Sequence, residues 1–367
     1  MPPWESERPA PRQPAAGMQD VSGDQEGLQH SPVLPAELLT GLNVQAGGRF
    51  IDGTLGGGGH TQLLLHHTRL AATVAHQESY VDKVGGGQKA RRQVPKDGVS
   101  DGQILGLDVD PAAIRRVRKR FPAEISAGRL SVAQAPFDQI GEIASQRGFT
   151  GIDGILLDLG LSSFQLDTPA RGFAFRHDGP LDMRFDPSTG YSAAELINSS
   201  SWEEIADILF QYGEERQSRP IARAIVANRP VSTTAELADI VRRAVRRRGR
   251  QKIHPATRTF QALRIAVNDE LGQIARTLPQ IPPLLRPGGR VAIIAFHSLE
   301  DRLVKEWMRD NARKFRPDPT LPTGGQEQIP VLALRNKKPI VPAAAEIESN
   351  PRSRSARLRI AEKLPEF

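Results

Sequence analysis

The sequence predicts an α/β protein: a parallel sheet that presents a nucleotide-like ligand at its carboxyl edge, with a helical segment set into the chain. Three observations carry this. Arg49–His60 reads as strand, glycine turn and helix start; glycines or acids close successive strands; and strand patterning disappears between about Gln165 and Gln251.

Taken in order, residues 1–29 are rich in Pro, Gln, Ala and acids and lack an apolar h-region. They read as a disordered tail and not as a signal peptide. Glu5, Glu7, Asp20, Asp24 and Glu26 also argue against a mitochondrial presequence. Ordered sequence starts at His30, with a helix start at Pro35-Ala36-Glu37. Phe50-Ile51-Asp52 then ends a strand, the glycines of Gly53–Gly59 follow, and Thr61–Leu65 opens a helix. Glycines let backbone amides approach a ligand closely. The dinucleotide spacing G-x-G-x-x-G cannot be fitted to this turn. S-adenosylmethionine is therefore a better guest than a pyrophosphate.

Residues 67–101 lose apolar periodicity and read as an insertion. A loop from helix back to strand lies on the sheet edge opposite the ligand, so the insertion is expected to be mobile and dispensable for catalysis. Ile104–Asp108 is the second strand, and Asp110-Pro111 opens the helix Ala112–Phe121, with Asp110 as N-cap. That leaves Asp108 at a strand tip, where such folds grip a ribose hydroxyl pair. Arg129–Gln134 is a third strand leading to Phe137, which can stack on a purine. Ile152–Asp158 is a near-continuous apolar run, as a central parallel strand requires.

Helical spacing covers Ala193–Ile197, Trp202–Tyr212, Ala222–Asn228, Thr234–Arg248 and Ala256–Leu271. A turn and fifth strand follow at Leu285–Phe296, and the last strands at Val331–Leu334 and Leu358–Ile360. The expected organisation is a tail (1–29), a first sheet part (30–163), an inserted helical domain (164–252) and a second sheet part (253–367).

Composition narrows the chemistry. The chain has 367 residues, a formal charge of +7 and no cysteine. A basic balance favours a polyanionic partner. Without cysteine there is no zinc ribbon, no iron–sulfur cluster and no thiolate adduct to a pyrimidine ring. Methyl transfer would have to be direct displacement. No apolar run approaches the ~20 residues needed to span a bilayer, so no membrane partner and a cytoplasmic location are expected.

Asp158 is the most informative acid. Amino-methyltransferases place an acid- or amide-led turn after the fourth strand, where it meets the target amine. A cytosine amine is a poor nucleophile, and acceptors for its hydrogens would aim the nitrogen at the methyl group. Ile51–Thr54, Gly58–His60, Gly154–Gly160, Gln165–Asp167, Arg171–Phe173, Asp178–Arg184, Tyr212–Arg216, His254–Gln261 and Phe296–Arg302 occur in order. In these blocks the sequence resembles the bacterial small-subunit ribosomal RNA cytosine-N4 methyltransferases, the RsmH (MraW) family.

The resemblance implies a Rossmann-like class I S-adenosylmethionine-dependent methyltransferase with an inserted helical recognition domain. It implies methylation of N4 of a cytidine in the decoding region, with small-subunit ribosomal RNA or the 30S subunit as partner. Cofactor contacts carry over to Gly58, Gly59, His60, Asp108, Phe137, Asp158 and Gln165. Asp158, His297 and Asp182 are the candidate catalytic residues, with Arg184 and Asp301 placed near them around the target cytidine. The basic run from Arg242 to Lys252 is expected to contact RNA phosphates. A catalytically silent RNA-binding assembly factor on the same fold is the alternative. A nicotinamide oxidoreductase is disfavoured by the glycine spacing, and a DNA amino-methyltransferase by Leu159-Gly160 after Asp158.

Overall fold

The structure, a computed structural model, describes residues 32–70, 101–245, 254–317 and 324–365. The N-terminal tail, most of the insertion, and Arg246–Arg248, Arg250 and Lys252 of the basic run lie outside them.

The chain forms two compact units, one comprising Ser31–Asp108, Ala112–Leu159 and Thr277–Phe367, the other Val109–Pro111 and Gly160–Arg276. The first is built on strands β1 (Arg49–Asp52), β2 (Gln103–Asp108), β3 (Leu130–Gln134), β4 (Ile152–Asp158), β5 (Leu285–Ala295), β8 (Leu332–Leu334) and β9 (Arg357–Lys363). They form one seven-stranded sheet in the order β3-β2-β1-β4-β5-β9-β8. β1 to β5 run parallel, and β9 returns antiparallel between β5 and β8. This is a Rossmann-like α/β sheet, as expected. A separate ribbon pairs β6 (Phe315–Pro317) with β7 (Gly325–Glu327). It was not foreseen, because Arg-Pro and Gly-Gln-Glu carry no alternating apolar pattern.

Phe50, Ile104, Leu156, Ala292, Ile294 and Leu358 line one face of the sheet. Leu38, Leu64 and Val117, from helices Pro35–Leu42, Gly59–His67 and Pro111–Arg120, cover it. Gly154 faces Phe50 across β1 and β4, and a Cβ there would come within 2.9 Å of the ring. The glycine in this apolar strand is thus a packing requirement. The turn expected before the fifth strand is a bulge within it, where the register with β4 slips between Ile152↔Leu285 and Gly154↔Arg290. At the insertion, Leu70 N–H donates to Asp101 Oδ1 at 2.9 Å, so both flanks meet just before β2. That is the sheet edge opposite the strand tips.

The helical unit packs Ala193–Ser199, Trp202–Gly213, Ser218–Ala227, Thr234–Ala244 and Ala256–Asn268 around Ile197, Ile205, Leu209, Ile225, Val241 and Leu263. Ser192/Glu195, Ser201/Glu204 and Thr233/Glu236 close three of these helices with reciprocal capping boxes. Three boundaries differ from expectation. Pro220 sits in the first turn of Ser218–Ala227, where amides lack helical partners, so this helix starts before Ala222. Asp269 takes the left-handed conformation (φ 49°) and divides the stretch read as one helix into Ala256–Asn268 and Glu270–Thr277. The unit also extends past 252 to Arg276, because Phe260 and Leu263 belong to its core.

Candidate active site

In the sheet unit, the carboxyl ends of β1, β2 and β4 carry a connected set of polar groups. Gly58 (φ 76°) turns the chain into helix Gly59–His67. A Cβ at Gly58 would be strained at this φ and would lie 2.8 Å from the Phe121 ring. Gly56 N–H donates to Asp108 Oδ2 at 2.7 Å, which ties the tip of β2 to the glycine loop. Phe137, half-buried at the start of the 3-10 turn Phe137–Gln139, stands beside Gly53.

Beneath the loop, Asp52 is buried and accepts from Thr61 Oγ1–H (2.6 Å) and Thr54 N–H (3.2 Å). Burial raises its pKa, against the pull of Thr61, His60 and Thr54. Asp158 N–H donates to Thr54 Oγ1 at 2.6 Å, so Thr54 bridges the tips of β1 and β4. The sequence reading gave Asp52, Thr54 and Thr61 no role, although Asp52 and Thr54 fall inside a matched block. Their signal was a hydroxyl residue two and nine positions after a strand-end acid.

His60 is 6% exposed, and its Nε2 lies 2.9 Å from Val33 carbonyl oxygen. A carbonyl only accepts, so Nε2 carries the hydrogen. Nδ1 then faces Asp158 Oδ2 at 3.4 Å. A neutral ring and a carboxylate would meet there lone pair to lone pair, and one proton between them turns the contact into a hydrogen bond. The other oxygen, Asp158 Oδ1, is buried and has no hydrogen-bond partner. Burial pushes the Asp158 carboxyl up to about 6; His60 opposes the shift, while Asp52 and Glu300 reinforce it. A buried acceptor without a partner is costly unless something else occupies it.

The other candidates have different surroundings. His297 caps helix Ser298–Asn311, its Nδ1 accepting from Glu300 N–H while Glu300 Oε2 accepts from His297 N–H. Asp301, expected near a target base, is bound by Arg359 (2.6 Å) and Arg357 (3.1 Å) and fastens that helix to β9. Within the helical unit, Asp182 accepts from Arg184 Nε and Nη2 at 2.9 and 2.7 Å, so both carboxylate oxygens are engaged. Gln165 completes a capping box with Ser162 and donates to Asp110 Oδ2 at 3.0 Å. Arg171 pairs with the same Asp110 oxygen at 2.8 Å, a contact the sequence reading missed. Asn268 holds the Asp182–Phe185 segment by its Nδ2 on Met183 O and its Oδ1 under Phe185 N–H.

The strand order, the glycine loop and the acids at two strand tips define a Rossmann-like, class I S-adenosylmethionine-dependent methyltransferase. The donor set suits that cofactor: a strand-tip acid tied to the glycine loop, and a helix that starts from that loop at Gly59. The chain belongs to the MraW methylase family, which matches residues 27–79 and 68–364. It is 46% identical over 341 residues to ribosomal RNA small subunit methyltransferase H of Thermomicrobium roseum, covering 91% of this chain and 94% of the relative. The protein of the same name from Geobacter sulfurreducens is 42% identical over 341 residues, covering 92% and 99%. A solved putative rRNA-methylase from Clostridium thermocellum superposes with a TM-score of 0.40 at 11% identity, over 92% of this chain and 100% of that one. Among the described residues, no helix is long and apolar enough to cross a membrane.

Proposed function

We propose that this protein methylates N4 of a cytidine in small-subunit ribosomal RNA, with Asp158 as the residue that receives the target amine. The observation that carries this reading is the buried Asp158 Oδ1, unpartnered beside a histidine whose second nitrogen is committed to the backbone. When bound, S-adenosylmethionine supplies a methyl group on a sulfonium. Asp108 would hold its ribose hydroxyls, the Gly58 and Gly59 backbone its carboxylate end, and Phe137 its adenine.

Asp158 Oδ1 accepts one hydrogen of the cytosine amine and turns the nitrogen lone pair toward the methyl group. Such placement substitutes for a strong nucleophile. Once methylated, the nitrogen is cationic and sheds a proton, which Asp158 takes and shares with His60 Nδ1. A base titrating at about 6 is ionised at neutral pH yet basic enough for this acidic proton. His60 is therefore a positioning residue that acts through Asp158, and His297 and Asp182 act structurally. The +7 chain and the run Arg242–Lys252 suit a phosphate backbone.

The silent assembly factor, the alternative, finds no support, because the relatives bear methyltransferase names. Single-turnover transfer of labelled methyl to small-subunit ribosomal RNA, followed by mass-spectrometric mapping of the modified nucleotide, tests the reading. Methyl on a cytosine amine is the expected result. A methylated ribose, another base or no transfer would overturn it.

A further inference from the structure

The same carboxyl edge of the sheet carries a second concavity that the site above does not use. It opens where β5 runs into Phe296-His297-Ser298 and where β9 begins, and its volume is ≈ 390 Å³. The register fixes its place: Ala295 at the end of β5 pairs with Arg357, while Ile294 pairs on the other side with Asp158. The concavity therefore lies beyond β5, across that strand from the acid assigned to the target amine.

Its walls carry cationic and aromatic side chains. Because His297 Nδ1 takes the Glu300 N–H, the hydrogen of the neutral ring is on Nε2. That nitrogen is buried and makes no hydrogen bond, although Glu300 Oε1 lies 3.1 Å away as an ion-pair contact. The His297 side chain is only 9% exposed and lines the concavity. Arg354, Ser355 and Arg357 line it too, and Phe296 and Val341 give it apolar surface. Asp301 pairs with Arg357, which lines the concavity, and with Arg359 outside it. Arg354 adds a second cation from the 3-10 turn Pro351–Ser355. Cationic donors around an aromatic wall suit a ligand with an anionic, acceptor-rich part and a flat apolar part.

We propose that this concavity binds a nucleotide of the substrate RNA flanking the methylated one, its phosphate held by Arg354 and Arg357 and its base set against Phe296. The proposal rests on the RNA reading above. A flanking site lets binding energy from a non-reacting nucleotide hold the target base in its extruded position, offsetting the cost of unstacking it.

The test uses the full chain, with small-subunit ribosomal RNA as probe, and compares Arg354→Glu and Arg354→Lys with the wild type. Arg354→Glu is expected to raise KM for RNA about tenfold, and to lower the slope of log affinity against log salt by about one contact. The calorimetric affinity for S-adenosylhomocysteine stays unchanged, and Arg354→Lys recovers most of the RNA affinity. An unchanged KM and salt slope in Arg354→Glu, with the wild type active, would overturn the flanking site while leaving the proposed function intact. Loss of polyglutamate binding in that variant, with RNA binding untouched, would overturn it in favour of an acidic peptide. A wild type that transfers no methyl to RNA would remove the parent reading as well.

Discussion

Asp158 at the tip of β4 in the sheet unit and the loop acids Asp182 and Asp110 of the helical unit are held in opposite ways. In the helical unit, Asp182 gives both oxygens to Arg184, and Asp110 is locked by Arg171 and Gln165. At the strand tips, Asp158 keeps one buried oxygen without a partner and faces His60 with the other. A carboxylate saturated by a guanidinium holds structure, because removing a proton from a substrate would require breaking those bonds first. A carboxylate left short of partners is destabilised as an anion and so becomes a base. The acid proposed to carry the chemistry is the one the fold leaves incomplete.

The sharpest way to break this comparison is to neutralise each acid in turn. Asp158→Asn is expected to lower single-turnover methyl transfer by about 10²–10⁴-fold, the usual range for losing a positioned acid–base group. Asp182→Asn should leave the transfer step unchanged and instead destabilise the helical unit by about 1.5–3 kcal/mol, the scale of charged hydrogen bonds. Denaturant titration and quenched-flow transfer measure the two separately. A catalytic loss in Asp182→Asn that matches the one in Asp158→Asn would erase the distinction.

Asp110→Ala sharpens the same contrast. It strands the largely buried Arg171, and breaking a buried pair costs about 3–5 kcal/mol. The expected outcome is a large fall in unfolding midpoint. Smaller still is the effect of pH on stability at the strand tip. Asp158 binds a proton in the folded chain up to about pH 6, whereas its ordinary value is 3.8. Its contribution is therefore full below pH ~4 and is lost as pH rises through about 6. Thermal midpoints should fall across that window in the wild type, and less so in Asp158→Asn. Replacing residues 71–100 by a short linker should change transfer least, because Leu70 and Asp101 already meet.

Much of the sheet was legible because β1, β2 and β4 are short apolar runs closed by Asp52, Asp108 and Asp158. The glycine loop was legible for the same reason: its residue types admit few backbone solutions. The helical unit was harder to bound. Its capping-box spacing at Ser192, Ser201 and Thr233 is present in the sequence, whereas the left-handed turn at Asp269 has no such marker. Site roles were the least legible part. Asp158 and Asp182 are both acids in matched blocks, and nothing in one dimension says that Arg184 folds back onto one of them. Nor does it say that Val33, 27 residues away, fixes the tautomer of His60.

The proposed sharing of a proton by Asp158 and His60 at the tip of β4 is tested most directly by the pH dependence of single-turnover methyl transfer. The rate should rise with pH and level off above a midpoint near 6. In His60→Gln, which keeps a donor for Val33 carbonyl oxygen but removes the proton-sharing nitrogen, that midpoint should move upward and the rate at neutral pH should fall. A rate that is flat from about pH 5 to 8 in both proteins would contradict the account.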